Sequence, residues 1–410
     1  MHFRYARYYY ITAYGATKLR RDFKQRALVR HLVNFNELKI FESAQGQHNM
    51  ITILQKGQDE NAVAKTAITQ KQGVAKQETL RQILSGNDPE TPYYQVKQKD
   101  LYDGDDYQIR LQGTSIEGHD PIQTILSKIK THGDLLGVIC NVNQGIVTGA
   151  DKVSKKHIEK YGIKASVGDG IFILSKREIV DLKLSADEKK LLRPWFKNSD
   201  ILRWTASKDT KKEVIYSNDE TVSDIEDLPN LERHLAKFKK IISAYAYRWH
   251  DLHRSRQLKI FEGPKIVVPQ RSPLNTFGYN EIPWYASADV YFITTKNKEI
   301  SLKYILALLN SQLYYLWLYY QGKRKGEILE LYQAPLSEIP IKKILENEQK
   351  SFINLVDKIL ALTKDNDYLK NSEKQAKVHD YEKQVDQLVY KLYSLTPEEI
   401  EVVEKKDGRP

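Results

Sequence analysis

Cysteine is almost absent from this sequence. Cys140 is the one thiol among 410 residues, so the chain can build neither a disulfide framework nor a thiolate zinc site. Its ten histidines show no metal-ligand spacing, and HEXXH does not occur. Long apolar runs are missing too. ILALLNSQLYYLWLYY (305–320) is interrupted by Asn310, Ser311 and Gln312 and falls short of the roughly 20 residues a membrane span needs. Residues 1–20 are too polar for a signal peptide. Together these absences predict a cytoplasmic protein with no membrane partner. The sequence also lacks a Walker loop, a PD…(D/E)XK nuclease cluster, and a glycine-rich strand-to-helix turn ahead of its first α/β elements.

What is present describes a folded chain with a basic bias. Hydrophobic residues make up 41% and charged residues 29%, values of a globular protein rather than a disordered one. The length supports two or three domains. Lys and Arg outnumber Asp and Glu by 64 to 53, a net charge of +11. Such a field favours polyanions, nucleic acid first; the alternative is a basic surface with no such partner. Tyrosine is heavily used, with 26 Tyr against 11 Phe and 5 Trp. A flat apolar ring carrying a hydroxyl suits wet interfaces and stacking on bases.

The chain reads as mixed α+β. ATKLRRDFKQRALV (16–29) has helical spacing, and HLVNF (31–35) and MITILQKG (50–57) read as strands around the polar loop 41–49. This order suits one side of a doubly wound sheet. Residues 76–135 hold one helix, near 76–85, in what otherwise reads as a connection. From 136 strands and glycine-bearing loops predominate: LGVICNVNQGIVTGADKVS, DGIFILSKREI, PKIVVPQRS and WYASADVYFITTK. A continuous helix is expected over 301–321. The charged tail, 341–410, reads as helical, with Val385, Leu388, Val389 and Leu392 on one face for packing on a partner.

NDPETPYY (87–94) comes near to Asn/Asp-Pro-Pro-Tyr, the tetrapeptide that amino-methyltransferases place against the nitrogen they alkylate. Neither half supplies both an amide or acid before proline and a ring after it, so the stretch reads as a turn before a strand.

VNQGIVTGADKV (142–153), LLRPWFKNSDILRW (191–204), PKIVVPQRS (264–272), WYASADVYFIT (284–294) and LKYILALLNSQLYYLW…GKRKGEILELYQAPLSEIPI (302–341) occur in that order. They resemble the TaqI-like C-terminal specificity domain of adenine-N6 DNA methyltransferases and of fused restriction-modification enzymes. YITAYGATKLRRDF (9–22) and FNELKIFESAQGQHNMITIL (35–54) look like the end of those enzymes' catalytic domain. The resemblance implies a remnant of a doubly wound methyltransferase sheet over 1–75, a connecting region over 76–135, a target-recognition domain over 136–345 and a helical segment over 346–410. It implies double-stranded DNA as partner and S-adenosylmethionine as methyl donor of the complete enzyme. The cofactor and Asn-Pro-Pro-Tyr motifs would lie upstream of residue 1. The chain by itself is therefore expected neither to hold the cofactor nor to transfer methyl until a chain or segment with the catalytic half completes it. A restriction nuclease is a further partner of such systems. The alternative is a non-enzymatic specificity subunit that targets a separate methyltransferase or nuclease.

Several residues are candidates for DNA contact. Gln144, Gly145, Thr148, Gly149 and Lys152 form a glycine-bearing loop where backbone could approach a phosphate, or else a tight hairpin. Arg193, Lys197 and Arg203 flank Trp195 and Trp204, as a stacking platform or as solvated cations around a core. Gln270, Arg271 and Ser272 follow a strand; Gln and Arg can read adenine and guanine edges. By resemblance this is a DNA-facing loop. Lys323, Arg324 and Lys325, between Gly322 and Gly326, suit a phosphate backbone or a helix C-terminus equally. The resemblance carries onto Phe41 the part of a ring stacking on a flipped adenine; otherwise it is a packed loop residue.

Overall fold

The computed structural model describes residues 2–41, 49–111, 114–115, 121–131, 133–296, 299–325, 327–365 and 367–405. Residues 42–48, most of the expected polar loop, lie outside them, as does Gly326. The chain divides into two compact units, 1–127 and 128–410.

In the first unit the helical stretch read over 16–29 divides. Helix α1, Thr17–Arg26, stops where strand β2, Ala27–Asn34, begins. Leu28, Val29, Leu32 and Val33 are all buried in that strand. Burial in a sheet therefore overrides the helical spacing of the preceding residues. With β1 (His2–Arg7), β3 (Asn49–Lys56), β4 (Val63–Ile68), β5 (Tyr93–Lys97) and β6 (Thr114–Ser115), β2 forms a six-stranded sheet of order β1-β3-β2-β4-β5-β6. Parallel pairing, the mark of a doubly wound sheet, is confined among these strands to β2 with β4; the other neighbours run antiparallel. Val29, Leu32, Met50, Ala64 and Val96 cluster with Tyr10, Leu101 and Ile109 in its core.

Residues 76–111, expected as a connection, contribute instead to this unit. Helix α2, Gln77–Ser85, ends on Gly86 in the left-handed conformation, and β5 pairs with β4. The polar texture of this region misleads because the sheet buries Tyr94 and Val96 while their neighbours face outward. NDPETPYY is a turn between α2 and β5. Its Asp88 carboxylate lies 3.3 Å from Lys71 Nζ and accepts from the Thr91 hydroxyl.

The second unit is mixed α+β around a five-stranded sheet. Its strands are β7 (Cys140–Gln144), β10 (Trp204–Thr205), β12 (Lys265–Pro269), β14 (Gly278–Asn280) and β16 (Val290–Thr295), in the order β7-β16-β12-β14-β10. A second sheet has β8 (Ile173–Ser175), β9 (Leu192–Phe196), β11 (Lys212–Ile215) and β15 (Tyr285–Ala286) in the order β8-β11-β9-β15. A third joins β13 (Arg271–Ser272), β17 (Arg324–Lys325) and β18 (Ile328–Glu330) in the order β13-β18-β17. Every residue of β12 is buried, Lys265 included. The Lys265 ammonium donates to the carbonyls of Gly263 (2.6 Å) and Ile282 (2.7 Å), and burial lowers it to about 8. Helix α3, Pro229–Ala236, is followed by a turn of helix at Lys239–Ile242.

The helix expected over 301–321 is two helices, α4 (Leu302–Leu309) and α5 (Gln312–Tyr320). Asn310 breaks it. Its amide nitrogen donates to the Phe277 carbonyl (2.9 Å) and its amide oxygen accepts from the Phe277 N–H (3.1 Å). Ser311 then caps α5 by accepting from the Tyr314 N–H. Leu306, Leu309, Leu313 and Leu316 are fully buried on the two helices.

The tail forms α6 (Glu346–Thr363), α7 (Ser372–Leu392) and α8 (Pro397–Lys405). The partner of the α7 stripe is the same unit. Val385 and Val389 are buried, Asp386 accepts from the Gln312 N–H at the start of α5 (2.8 Å), and the Tyr390 hydroxyl donates to Gln312 Oε1 (2.7 Å). Many tyrosines read as interface rings are likewise core. Tyr304, Tyr314 and Tyr390 are fully buried, and the Tyr314 hydroxyl reaches the Pro340 carbonyl at 2.6 Å. Among the described residues no helix is long and apolar enough to cross a membrane.

Candidate nucleic-acid interface

β13 and β17 both pair antiparallel with β18, so two candidate clusters about fifty residues apart in sequence become neighbours. Arg271 stands opposite Glu330 and Ser272 opposite Leu329; Arg324 stands opposite Leu329 and Lys325 opposite Ile328. The Glu330 N–H donates to the Lys323 carbonyl at 2.7 Å, and the Leu331 N–H to the Gln270 carbonyl at 2.9 Å.

The side chains converge on Glu330 and Tyr332. Arg271 Nε lies 3.4 Å from one Glu330 carboxylate oxygen and Lys323 Nζ 3.2 Å from the other. The Tyr332 hydroxyl accepts from Arg271 Nη2 (3.1 Å) and donates to Glu330 (3.3 Å). Lys323 Nζ sits 4.7 Å from the centre of the Tyr332 ring. Arg324 stacks over Tyr319 at 3.8 Å, and Lys325 is exposed. Tyr332 and then Glu330 raise the Arg271 guanidinium above its usual value. Ser272 is turned inward, its hydroxyl 2.8 Å from that of Thr276.

The cluster continues along the ends of the large sheet. Gln144 faces Tyr291 across β7 and β16, and Tyr291 also faces Val268 in β12. The Gln270 side chain holds the Tyr291 hydroxyl, which burial raises above its usual value. Gln144 donates to the Ala288 carbonyl (2.9 Å) and accepts from Arg256 Nη2 (3.2 Å), while Arg256 Nε donates to the Gly145 carbonyl (3.2 Å). Gln144 is thereby already engaged in protein hydrogen bonds.

A Cβ on Gly145 would meet the carbonyl oxygens of Ser287 at 2.2 Å and Ala286 at 2.6 Å. The backbone of the neighbouring segment 286–287 approaches Gly145 closely. Gly149 has φ +86° and sits against Tyr245, and the Thr148 hydroxyl donates to Asp151. The loop is a built turn.

Lys152 and Lys197 come together around Lys212, which the sequence reading missed. Burial, then the ammonium groups of Lys197 and Lys152, lower Lys212 below its usual value. Arg193 donates to the carbonyls of Lys190 and Leu192. Trp195 and Trp204 are core residues, 2% and 1% exposed. Arg203, expected to line a DNA groove or to be solvated, points inward, with Nη1 2.8 Å from Glu382 of α7, Nη2 on the Asn310 carbonyl and the Trp204 ring beside it. Its charge is used within the fold, because α7 supplies a carboxylate the local sequence does not contain.

Phe41 belongs to the first unit and is 47% exposed at the edge of the undescribed 42–48 segment. Among the described residues no group of His, Cys, Asp or Glu could hold a metal ion. Glu330, Tyr332, Arg256, Tyr291 and Lys212 were not legible as site residues. The one local hint was the alternation Ile328–Glu330–Tyr332 next to the basic run.

Residues 230–341 match the family model of the TaqI-like C-terminal specificity domain. The chain is 25% identical over 246 residues to the type II methyltransferase M.HindII of Haemophilus influenzae, covering 55% of this chain and 43% of that protein. It is 33% identical over 118 residues to M.HincII of Haemophilus influenzae, covering 27% of this chain and 23% of that protein. In fold it is similar to the type IIL restriction-modification enzyme MmeI, solved in complex with DNA. There the TM-score is 0.55 and the identity 13%, over 95% of this chain and 47% of MmeI. The chain thus spans less than half the length of each of these three proteins. The segment that holds Arg271, Lys323, Glu330 and Tyr332 thus lies within the stretch that matches the TaqI-like C-terminal specificity domain, in a chain similar to type II methyltransferases.

Proposed function

We propose that the chain recognises a specific sequence in double-stranded DNA, as the target-recognition part of a site-specific adenine-N6 DNA methyltransferase of a restriction-modification system. One observation carries this reading: a three-stranded sheet in the specificity domain gathers Gln270, Arg271, Lys323, Arg324 and Lys325 beside Tyr319, Tyr291 and Tyr332. Such a surface joins cations that can neutralise phosphates to a guanidinium and an amide that can reach base edges. The net charge of +11 and the DNA-bound state of MmeI agree with it.

Methyl transfer in this reading belongs to the complete enzyme, with S-adenosylmethionine as donor. What supports this division is the mostly antiparallel sheet of the first unit, in which no glycine-rich turn among the described residues leads from a strand into a helix. The cofactor is assigned to a segment or chain bearing the catalytic half. Phe41 remains the candidate ring for a flipped base.

Duplex binding by the purified chain, titrated with salt, tests the reading. Affinity should fall steeply as counterions compete for phosphates; a salt-independent affinity, or none, would sink it. Adenine methylation of a plasmid, with and without co-expression of the gene upstream, tests the enzymatic half. Calorimetry on the purified chain should show no retention of S-adenosylmethionine.

A further inference from the structure

We infer that Glu330 is a positioning residue that spends part of the cluster's positive charge to fix Arg271 and Lys323 in place, trading indiscriminate phosphate affinity for sequence selectivity. The inference rests on the DNA-recognition reading above.

The geometry sets one carboxylate beneath two cations. The Glu330 side chain is 8% exposed, whereas those of Arg271 and Lys323 are 55% and 51% exposed. Each carboxylate oxygen takes one cation, and the Tyr332 hydroxyl ties Arg271 to Glu330 a second time. An approaching polyanion therefore meets two cationic heads whose shared counter-charge is already in the protein. Two cations against one carboxylate leave one net positive charge at this point, where the bare pair would present two.

The same arrangement orders the heads. A guanidinium held at Nε and Nη2 keeps its remaining N–H donors at a set angle, as recognition of a base edge demands. An untethered arginine swings to whichever phosphate is nearest, and phosphate contacts carry no sequence information. Ordering the side chain before binding also removes an entropic cost from the specific complex. Arg324, stacked over Tyr319, and the exposed Lys325 lie one strand further on and add to the phosphate affinity.

The test uses the full chain and two duplexes, one selected from a randomised pool and one of scrambled sequence. For Glu330→Gln, which keeps the shape and removes the charge, affinity for the scrambled duplex should rise about three- to tenfold at moderate salt. The slope of log affinity against log salt should steepen by about one. The ratio of selected to scrambled affinity should narrow. A merely structural glutamate would not steepen the salt slope. Tyr332→Phe leaves the carboxylate and the ring under Lys323 but unties Arg271, so it should narrow the ratio with little change in slope; it decides the matter if Glu330→Gln does not fold. A folded Glu330→Gln with unchanged slope and ratio, or a Tyr332→Phe with an unchanged ratio, overturns the positioning role. Wild-type protein that binds neither duplex instead overturns the DNA-recognition reading, and this inference with it.

Discussion

Arg271 and Glu330 face each other across an antiparallel ladder, with guanidinium Nε and carboxylate oxygen 3.4 Å apart. Half of the Arg271 side chain nevertheless reaches solvent. The residue is thus anchored at one edge and presented at the other, while Lys323 holds the opposite carboxylate oxygen.

That difference separates two substitutions. Arg271→Ala should relax sequence choice at one position, removing about 1–3 kcal/mol of discrimination. Lys323→Ala should weaken all sequences alike and reduce the salt slope by about 1. Competition binding across single-base variants of the preferred duplex measures both. A uniform loss for Arg271→Ala would place that residue on phosphate.

Gly145→Ala should destabilise the second unit by about 3 kcal/mol, the upper range for overpacking against atoms that cannot move aside. The obstacles are the backbone carbonyls of Ala286, at the end of β15, and of Ser287, which bridges to Ile146. Denaturant unfolding of the variant measures the cost. A wild-type midpoint would show that the loop can open.

Asn310→Ala should cost about 1–3 kcal/mol, because it leaves the buried Phe277 N–H without its acceptor, while the Phe277 carbonyl keeps the Trp204 N–H. Asn310→Asp keeps the acceptor for the N–H and should fall between the two. Urea midpoints rank the three proteins, and equal midpoints would mean that the helix break is not held by this side chain.

Glu188 makes stability pH-dependent. Burial would raise its carboxyl, but N–H donors from Ser185, Asn230 and Leu231 and the Asn230 amide outweigh this and lower it from 4.5 to about 2. A folded value below the unfolded one favours the folded state above pH 4.5, and that stabilisation is lost as pH falls towards 2. A shift of this size corresponds to about 3 kcal/mol. Glu188→Gln should therefore be less stable than wild type at pH 7, with the gap closing on acidification. Unfolding midpoints across that range test it; a gap independent of pH would assign the loss to packing.

Much of the local structure was legible. Ser175 and Glu178, like Ser185 and Glu188, have the spacing of a capping box, and both boxes form. The buried Leu stripe of α4 and α5 follows from helical spacing, and the strands of PKIVVPQRS from β-branched residues between prolines. The mixed α+β class and the TaqI-like segment were likewise readable from the ordered motifs.

The helix break, the inward Arg203 and the shared carboxylate were not. Asn310 stops a helix because Phe277, more than thirty residues earlier, offers its backbone there. Glu188 closes its own capping box and also caps the start of α3, some forty residues on. Helical periods and caps arise between residues three or four apart, so the sequence by itself determined those elements and the basic, aromatic character of the surface. Which cations would share Glu330, and which would be consumed inside, depended on strand pairing and helix docking between distant segments, and that was decided by the tertiary structure.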